Sequence, residues 1–232
     1  VGGRLVGNAP DFEAVTPAGA FHRPTGGAFV VLFEPLNYTI RWASAFGGHP
    51  LPGQPPHTQV SDMRFVKKNG PQKLWITGMS IGDNAYWDGL DYTLPTQLPN
   101  GDPLPPDAFY HDHGMAFLAS FDVTSLHLDY CTGWGQGTAT SATDLMSAAY
   151  GLDYDGQHLW MVGGTHALTL TNADCPVPGG TGVHHTPVNG GGMDDYAKCD
   201  GFILAFDPAT YQLKYGTLLG GYNYDMLLDV AP

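Results

Sequence analysis

The chain has 232 residues, 43% of them hydrophobic, which is enough for one domain with a real core, but only 13% are charged against 32 Gly and 19 Pro. That balance favours many short strands joined by turns over helices. A formal net charge of −13 disfavours nucleic acid or an anionic membrane surface as a partner, and no apolar run is long enough to span a membrane.

The opening residues, VGGRLVGNAP, lack the basic start and apolar core of a signal peptide. They read as a chain that begins inside a strand, as a mature or truncated protein would. From Ala28 to Gly48 runs AFVVLFEPLNYTIRWASAFGG: an apolar run, an acidic residue in a short turn (Glu34), a second alternating run, then glycines. This is the pattern of a β-hairpin. It returns at Ala116–Gly137 around Asp122 and at Gly201–Gly221 around Asp207. LWITG (Leu74–Gly78) and LWMVGG (Leu159–Gly164) precede the second and third hairpins, and RLVG (Arg4–Gly7) is a weaker copy ahead of the first. The step from Gly78 to Gly163 equals that from Ala116 to Gly201, so the period belongs to a whole unit. An aspartate opens a further short strand after each glycine break: Asp62, Asp144 and Asp225. The best stretch of helical period, TSATDLMSAAYGL, stays within two turns.

A repeated unit of four strands, A to D, predicts an all-β chain built as a β-propeller, three four-stranded antiparallel blades in a single segment 1–232. Blade 1 covers about 1–61 with a closing strand at 225–232, blade 2 about 62–143 and blade 3 about 144–224. The C-terminal strand is expected beside the N-terminal one, which would remove open edges. Three blades do not fill a circle. The chain is therefore either an arc of a longer polypeptide or one half of a six-bladed ring made with a second copy.

GAFVVLFEP, IRWASAFGG, DYDGQHLWMVGG and LWITGMS, with the connector NAPDFEAVTPAGAFHRPTGGAFVVLF, resemble the bacterial β-propeller repeat family called SBBP. The resemblance covers nearly the whole chain apart from two long insertions. It implies the propeller fold and carries no catalytic motif onto these residues.

The long connections, about Asn8–Gly27, Met79–Gly114 and Gly164–Asp200, all join strands B and C and would gather on one face, where binding chemistry is expected. The opposite face, with turns such as EPLNYT and DPATYQ, is expected to be inert. In the second insertion, Asp83, Asn84 and Asp88 offer oxygen ligands for Ca2+, without the alternation or the distal Glu of an EF-hand. Tyr86, Trp87 and Tyr92 nearby could stack on a sugar ring, or pack on the insertion's own prolines. His111, Asp112 and His113 could donate two imidazoles and a carboxylate to a metal or contact a ligand, and His184, His185, Asp194 and Asp195 are a second candidate metal set. Their spacing matches no recognised zinc motif, and solvated loop residues are the alternative. Cys175 and Cys199 bracket a Gly/Pro-rich loop, and a disulfide between them would place the chain in an oxidising, extracytoplasmic compartment; two separate buried thiols are the alternative. Cys131 reads as a small buried apolar residue.

Trp75 and Trp160 occupy the same place in successive B strands and are expected to pack blade on blade. Asp62, Asp144 and Asp225 are expected to cap turns, with lining of an axial channel as the alternative. Asn37-Tyr38-Thr39 matches a glycosylation sequon within a tight turn. No GxSxG, HExxH or phosphate loop is present, although carboxylates from separate loops could still form a glycosidase-like pair. These readings predict a secreted or surface-displayed recognition module that binds protein or glycan. The alternatives are a propeller enzyme acting on an extracellular polysaccharide or small substrate, and a subunit of a surface filament or sheath.

Overall fold

A computed structural model describes residues 1–4, 12–22, 27–46, 57–81, 115–134, 147–165, 199–220 and 225–231. These residues are all-β apart from one 3-10 turn at Glu13–Val15. The strands are β1 (Gly2–Arg4), β2 (Ala28–Phe33), β3 (Ile40–Phe46), β4 (His57–Val66), β5 (Lys73–Ile81), β6 (Met115–Asp122), β7 (Leu128–Trp134), β8 (Ser147–Tyr154), β9 (Leu159–Thr165), β10 (Asp200–Phe206) and β11 (Leu213–Leu219). They form three antiparallel sheets in simple up-and-down order: β1-β2-β3, β4-β5-β6-β7 and β8-β9-β10-β11. The second half of TSATDLMSAAYGL is thus strand β8; its Gly and β-compatible alternation fit a pleat better than a helix.

The three hairpins share one turn down to its hydrogen bonds. Tyr38, Leu126 and Tyr211 all take left-handed φ, at 55°, 60° and 59°. Their amides donate to the carbonyls of Glu34, Asp122 and Asp207 at 2.9, 2.8 and 2.8 Å. A register shift precedes each turn, at Leu32/Phe33, Ser120/Phe121 and Ala205/Phe206. The acidic residue of the sequence pattern serves this turn directly in two copies: Asp122 Oδ1 accepts from the amides of Thr124 and Ser125, and Asp207 Oδ1 from that of Ala209. In the first copy Asn37 takes over and accepts from Thr39. Repetition in sequence is therefore repetition in backbone.

The repeated glycines of LWITG and LWMVGG answer a close approach. A Cβ at Gly78 would collide with the Gln59 carbonyl beneath the ring of Phe117, and one at Gly163 with the Ala148 carbonyl beneath Phe202. Both sites lie beside matching irregularities in the neighbouring strand, at Val60/Asp62 and Ala149/Gly151.

The sheets stack face to face, with β4–β7 in the middle and buried on both sides. Phe21, Trp42, Phe46, Phe117, Phe121, Leu126 and Cys131 fill the interface with β1–β3. Trp75, Leu118, Tyr130, Trp134, Leu152, Phe202 and Tyr211 fill the one with β8–β11. Residues 225–231 pack against the far side of the third sheet: Met226 lies on Gly164, Leu227 on Gly201 and Asp229 on Gly151, and the amide of Leu227 donates to Gly163. Among the described residues β1 is hydrogen-bonded to β2 alone, so the sheet it edges has three strands.

Four expectations change here. Residues 225–231 do not form the closing strand expected beside the N-terminal one; they carry no strand and lie on the third sheet. Cys199 is a buried thiol and not half of a disulfide; its sulfur lies over Gly164 on the face that Met226 covers, and burial pushes its pKa up to about 11. Cys175 lies outside the described residues. Asp62 sits in mid-strand and not at a strand entrance, where its Oδ2 accepts the amide of Leu152 from the next sheet at 2.9 Å. Trp75 and Trp160 do share a register but not an environment, because Trp75 is fully buried between sheets and Trp160 is half-buried on the far side of the third.

Candidate functional site

SDMRFVKKNGPQK carries four of the chain's nine basic residues, and the β4–β5 turn within it places Lys68 and Lys73 at one end of the interface between the second and third sheets. This is the short-turn end. A cavity of about 240 Å³ opens there, lined by Lys68, Lys73, Asp122 and Asp129 with Pro71 and Pro208 as apolar walls.

Its floor is a half-buried polar cluster on the buried Tyr211. Lys73 Nζ donates to the Tyr211 hydroxyl and to Asp129, the latter at 3.0 Å, and lies 4.6 Å from the centre of the Tyr211 ring. Tyr211 stacks on Tyr130 at 4.8 Å and 10°, and its ring meets Trp75 at 5.7 Å. Burial works to discharge Lys73, but its bonds to Tyr211 and Asp129 outweigh that and hold its pKa above the ordinary lysine value. Burial pushes Asp129 up, and Lys73 offsets part of the rise. Burial also raises Asp122, but the amides of Ser125 and Thr124 prevail and its pKa falls. At the rim Lys68 Nζ donates to the Gln157 carbonyl at 2.6 Å and to Asp207 at 3.1 Å.

These groups can bind but are poorly placed to catalyse. The Lys73 ammonium is locked and charged at neutral pH, so it offers neither a nucleophile nor a base. The two carboxylates have pKa values moved in opposite directions, as an acid and base pair would, yet each is committed elsewhere: Asp122 to its own turn and Asp129 to Lys73.

The ligand and metal candidates of the sequence, Asp83, Asn84, Tyr86, Trp87, Asp88, Tyr92, His111, Asp112, His113, His184, His185, Asp194 and Asp195, lie outside the described residues, as does Asp144. Among the described residues no three His, Cys, Asp or Glu side chains converge in a way that could hold a metal ion. Sequence reasoning missed Lys68, Lys73, Asp129 and Tyr211. The available signal was the clustering of scarce lysines in one turn; what hid the site is that its members come from three different strand pairs. No protein-family model matches the chain, and no curated protein matches it.

Proposed function

We propose that the stacked sheets are an arc of a β-propeller of SBBP-type repeats, and that the chain is an extracytoplasmic recognition module for protein or glycan. The observation that carries this reading is where the long connections start and finish. The stretch after β5 leaves at Ile81 and returns at Met115, and the stretch after β9 leaves at Thr165 and returns at Asp200, so both spring from the same end of the stack. A rigid, doubly buried middle sheet with its longest connections at one end suits binding. The locked Lys73 cluster weighs against the enzyme alternative, and the repeated turns with identical bonding weigh in favour of true repeats. Calcium at Asp83, Asn84 and Asp88 belongs to the same proposal.

The test is an array of bacterial and plant polysaccharides probed with the whole chain and with a Tyr86→Ala/Trp87→Ala/Tyr92→Ala variant. The expected result is binding by the wild type, lost in the variant, with an unchanged melting temperature. New reducing ends released from any arrayed glycan would favour the enzyme reading instead. Binding that survives the triple substitution would move the site away from that insertion.

A further inference from the structure

The identical turns allow each surface of one sheet to be compared with its counterpart in the others. Phe121, Leu126 and Leu128 of the second hairpin bury against the first sheet, and none is more than 7% exposed. Phe206, Tyr211 and Leu213 of the third hairpin pack in the same way against the second sheet. The matching residues of the first hairpin, Phe33, Tyr38 and Ile40, are 42%, 82% and 43% exposed. They have the backbone and the side chains of a docking edge, and nothing in the described structure to dock on.

The opposite end of the stack shows the other half of the same contact. Tyr211 rests on Trp75 and Tyr130, whose rings lie 6.0 Å apart at 56°. The residues in register on the outer face of the third sheet are Trp160 and Tyr215: Trp75 pairs through Ser120 to Tyr130, and Trp160 through Ala205 to Tyr215. Their rings lie 6.2 Å apart at 61°, nearly the same arrangement, and both are half-buried. Trp160 is already oriented, since its Nε1 donates to Asp155 Oδ2 at 2.7 Å. Beside this pair, His158 and Lys214 stand where Lys73 and Asp129 stand around the Tyr211 hydroxyl. Leu219, the counterpart of the buried Trp134, is 41% exposed.

We propose that these two faces are partners, and that the first sheet of one copy docks on the third sheet of a second copy of this chain. Tyr38 of one copy completes the aromatic set of Trp160 and Tyr215 in the other, with its hydroxyl between His158 and Lys214. The contact is head to tail: it uses two different surfaces, so it closes into a ring when the rotation permits and extends into a filament when it does not. It holds whatever ligand the long connections bind. A second copy is the occupant that the chemistry favours, because a turn-on-sheet contact of this kind already exists twice within one chain, once through Leu126 and once through Tyr211. Residues 225–231, which lie on Gly164, Gly201 and Gly151 of the receiving face, form part of the surface that the copy meets.

The test is sedimentation equilibrium of the wild type across a concentration series, with Tyr38→Ala and Tyr215→Ala. The expected wild-type result is an assembly of at least twice the 24.8 kDa chain mass. Each substitution is expected to weaken association by at least about 10-fold, as the loss of an interface aromatic does. Tyr38 is 82% exposed, so its removal leaves the single-chain melting temperature unchanged and keeps the result readable. Mixing a Tyr38→Cys chain with a Tyr215→Cys chain under mild oxidation should give a 38–215 link, identified by peptide mass, and no 38–38 or 215–215 link. A monomer at every concentration overturns the proposal and leaves the faces to a different protein. Association that either Ala variant leaves unchanged, or a 38–38 link, overturns it equally.

Discussion

Phe21, Phe46, Phe117 and Phe121 fill the interface between the first and second sheets with rings 5.4 to 6.4 Å apart, whereas the interface between the second and third encloses Lys73, Asp129 and the Tyr211 hydroxyl. The backbone of the two is the same, with turn on sheet and bulge beside glycine. One residue at the left-handed turn position sets the difference: Leu126 enters the first interface as a hydrocarbon, and Tyr211 enters the second with a hydroxyl that must be satisfied. A buried hydroxyl needs a partner, and Lys73 supplies it; a half-buried ammonium gains from a countercharge, and Asp129 supplies that. The second interface thus tolerates a polar cluster because its members satisfy one another. A cavity of about 240 Å³ opens beside that cluster, and one of about 460 Å³ lies between the first and second sheets, lined by Phe33, Arg41, Phe65 and Leu74 among others.

The largest change to either interface comes from removing a ring. Phe121→Ala in the first and Trp75→Ala in the second should each cost about 3–5 kcal/mol, read from the urea midpoint. If the two interfaces are structurally equivalent the losses will be similar, and a loss at Trp75 alone would show that the first sheet is only loosely joined. Leu126→Ala should cost about 2–4 kcal/mol, while Tyr211→Phe, which keeps the ring and frees Lys73, should cost about 1 kcal/mol. Lys73→Met leaves Asp129 without its cation and should cost about 1–3 kcal/mol, less than for a fully buried pair because both groups retain some exposure. The Lys73→Met/Tyr211→Phe double variant should lose less than the sum of its parts, since the two share one hydrogen bond.

The interfaces should also part company at high pH. Lys73 is held above the ordinary lysine pKa, so its contribution is fully present below pH 10.5 and is lost as the pH climbs through the folded value. Urea midpoints measured on either side of that range should fall more steeply for the wild type than for Lys73→Met. At the acid end Asp155 behaves oppositely. The His158 amide and the Trp160 indole draw its pKa down to about 2, so its hold on Trp160 is complete above pH 3.8 and fades as the pH falls through about 2. Trp160 fluorescence should report that change and Asp155→Asn should abolish it. The smallest effect concerns Cys199: with a thiol pKa near 11 and a buried sulfur, it should resist iodoacetamide at neutral pH in the folded chain and react at once in urea. Failure to react in urea without reductant would show a disulfide after all.

Strand order within each sheet and the repeated hairpin are legible in the sequence, because each rests on local pattern: alternation, an acidic turn residue and glycines at a fixed step. The fourth strand expected of the first unit is not, since residues 225–231 lie on the third sheet without forming a strand. The structure agrees with the all-β architecture and with the placement of Trp75 between sheets. Local pattern could not show that Trp160, written in the same words, faces outward, since that depends on there being no further described sheet beyond β8–β11. It could not show that Asp62 ties two sheets together, or that Lys68, Lys73, Asp129 and Tyr211 meet, because these residues are brought together only when sheets stack. Sequence alone determined which residues belong to strands and turns, for those choices are made by neighbours along the chain. Tertiary structure alone decided which copy of a repeated residue is buried, charged or left open at an end. Identical backbone units become different when each is given a different surface to face.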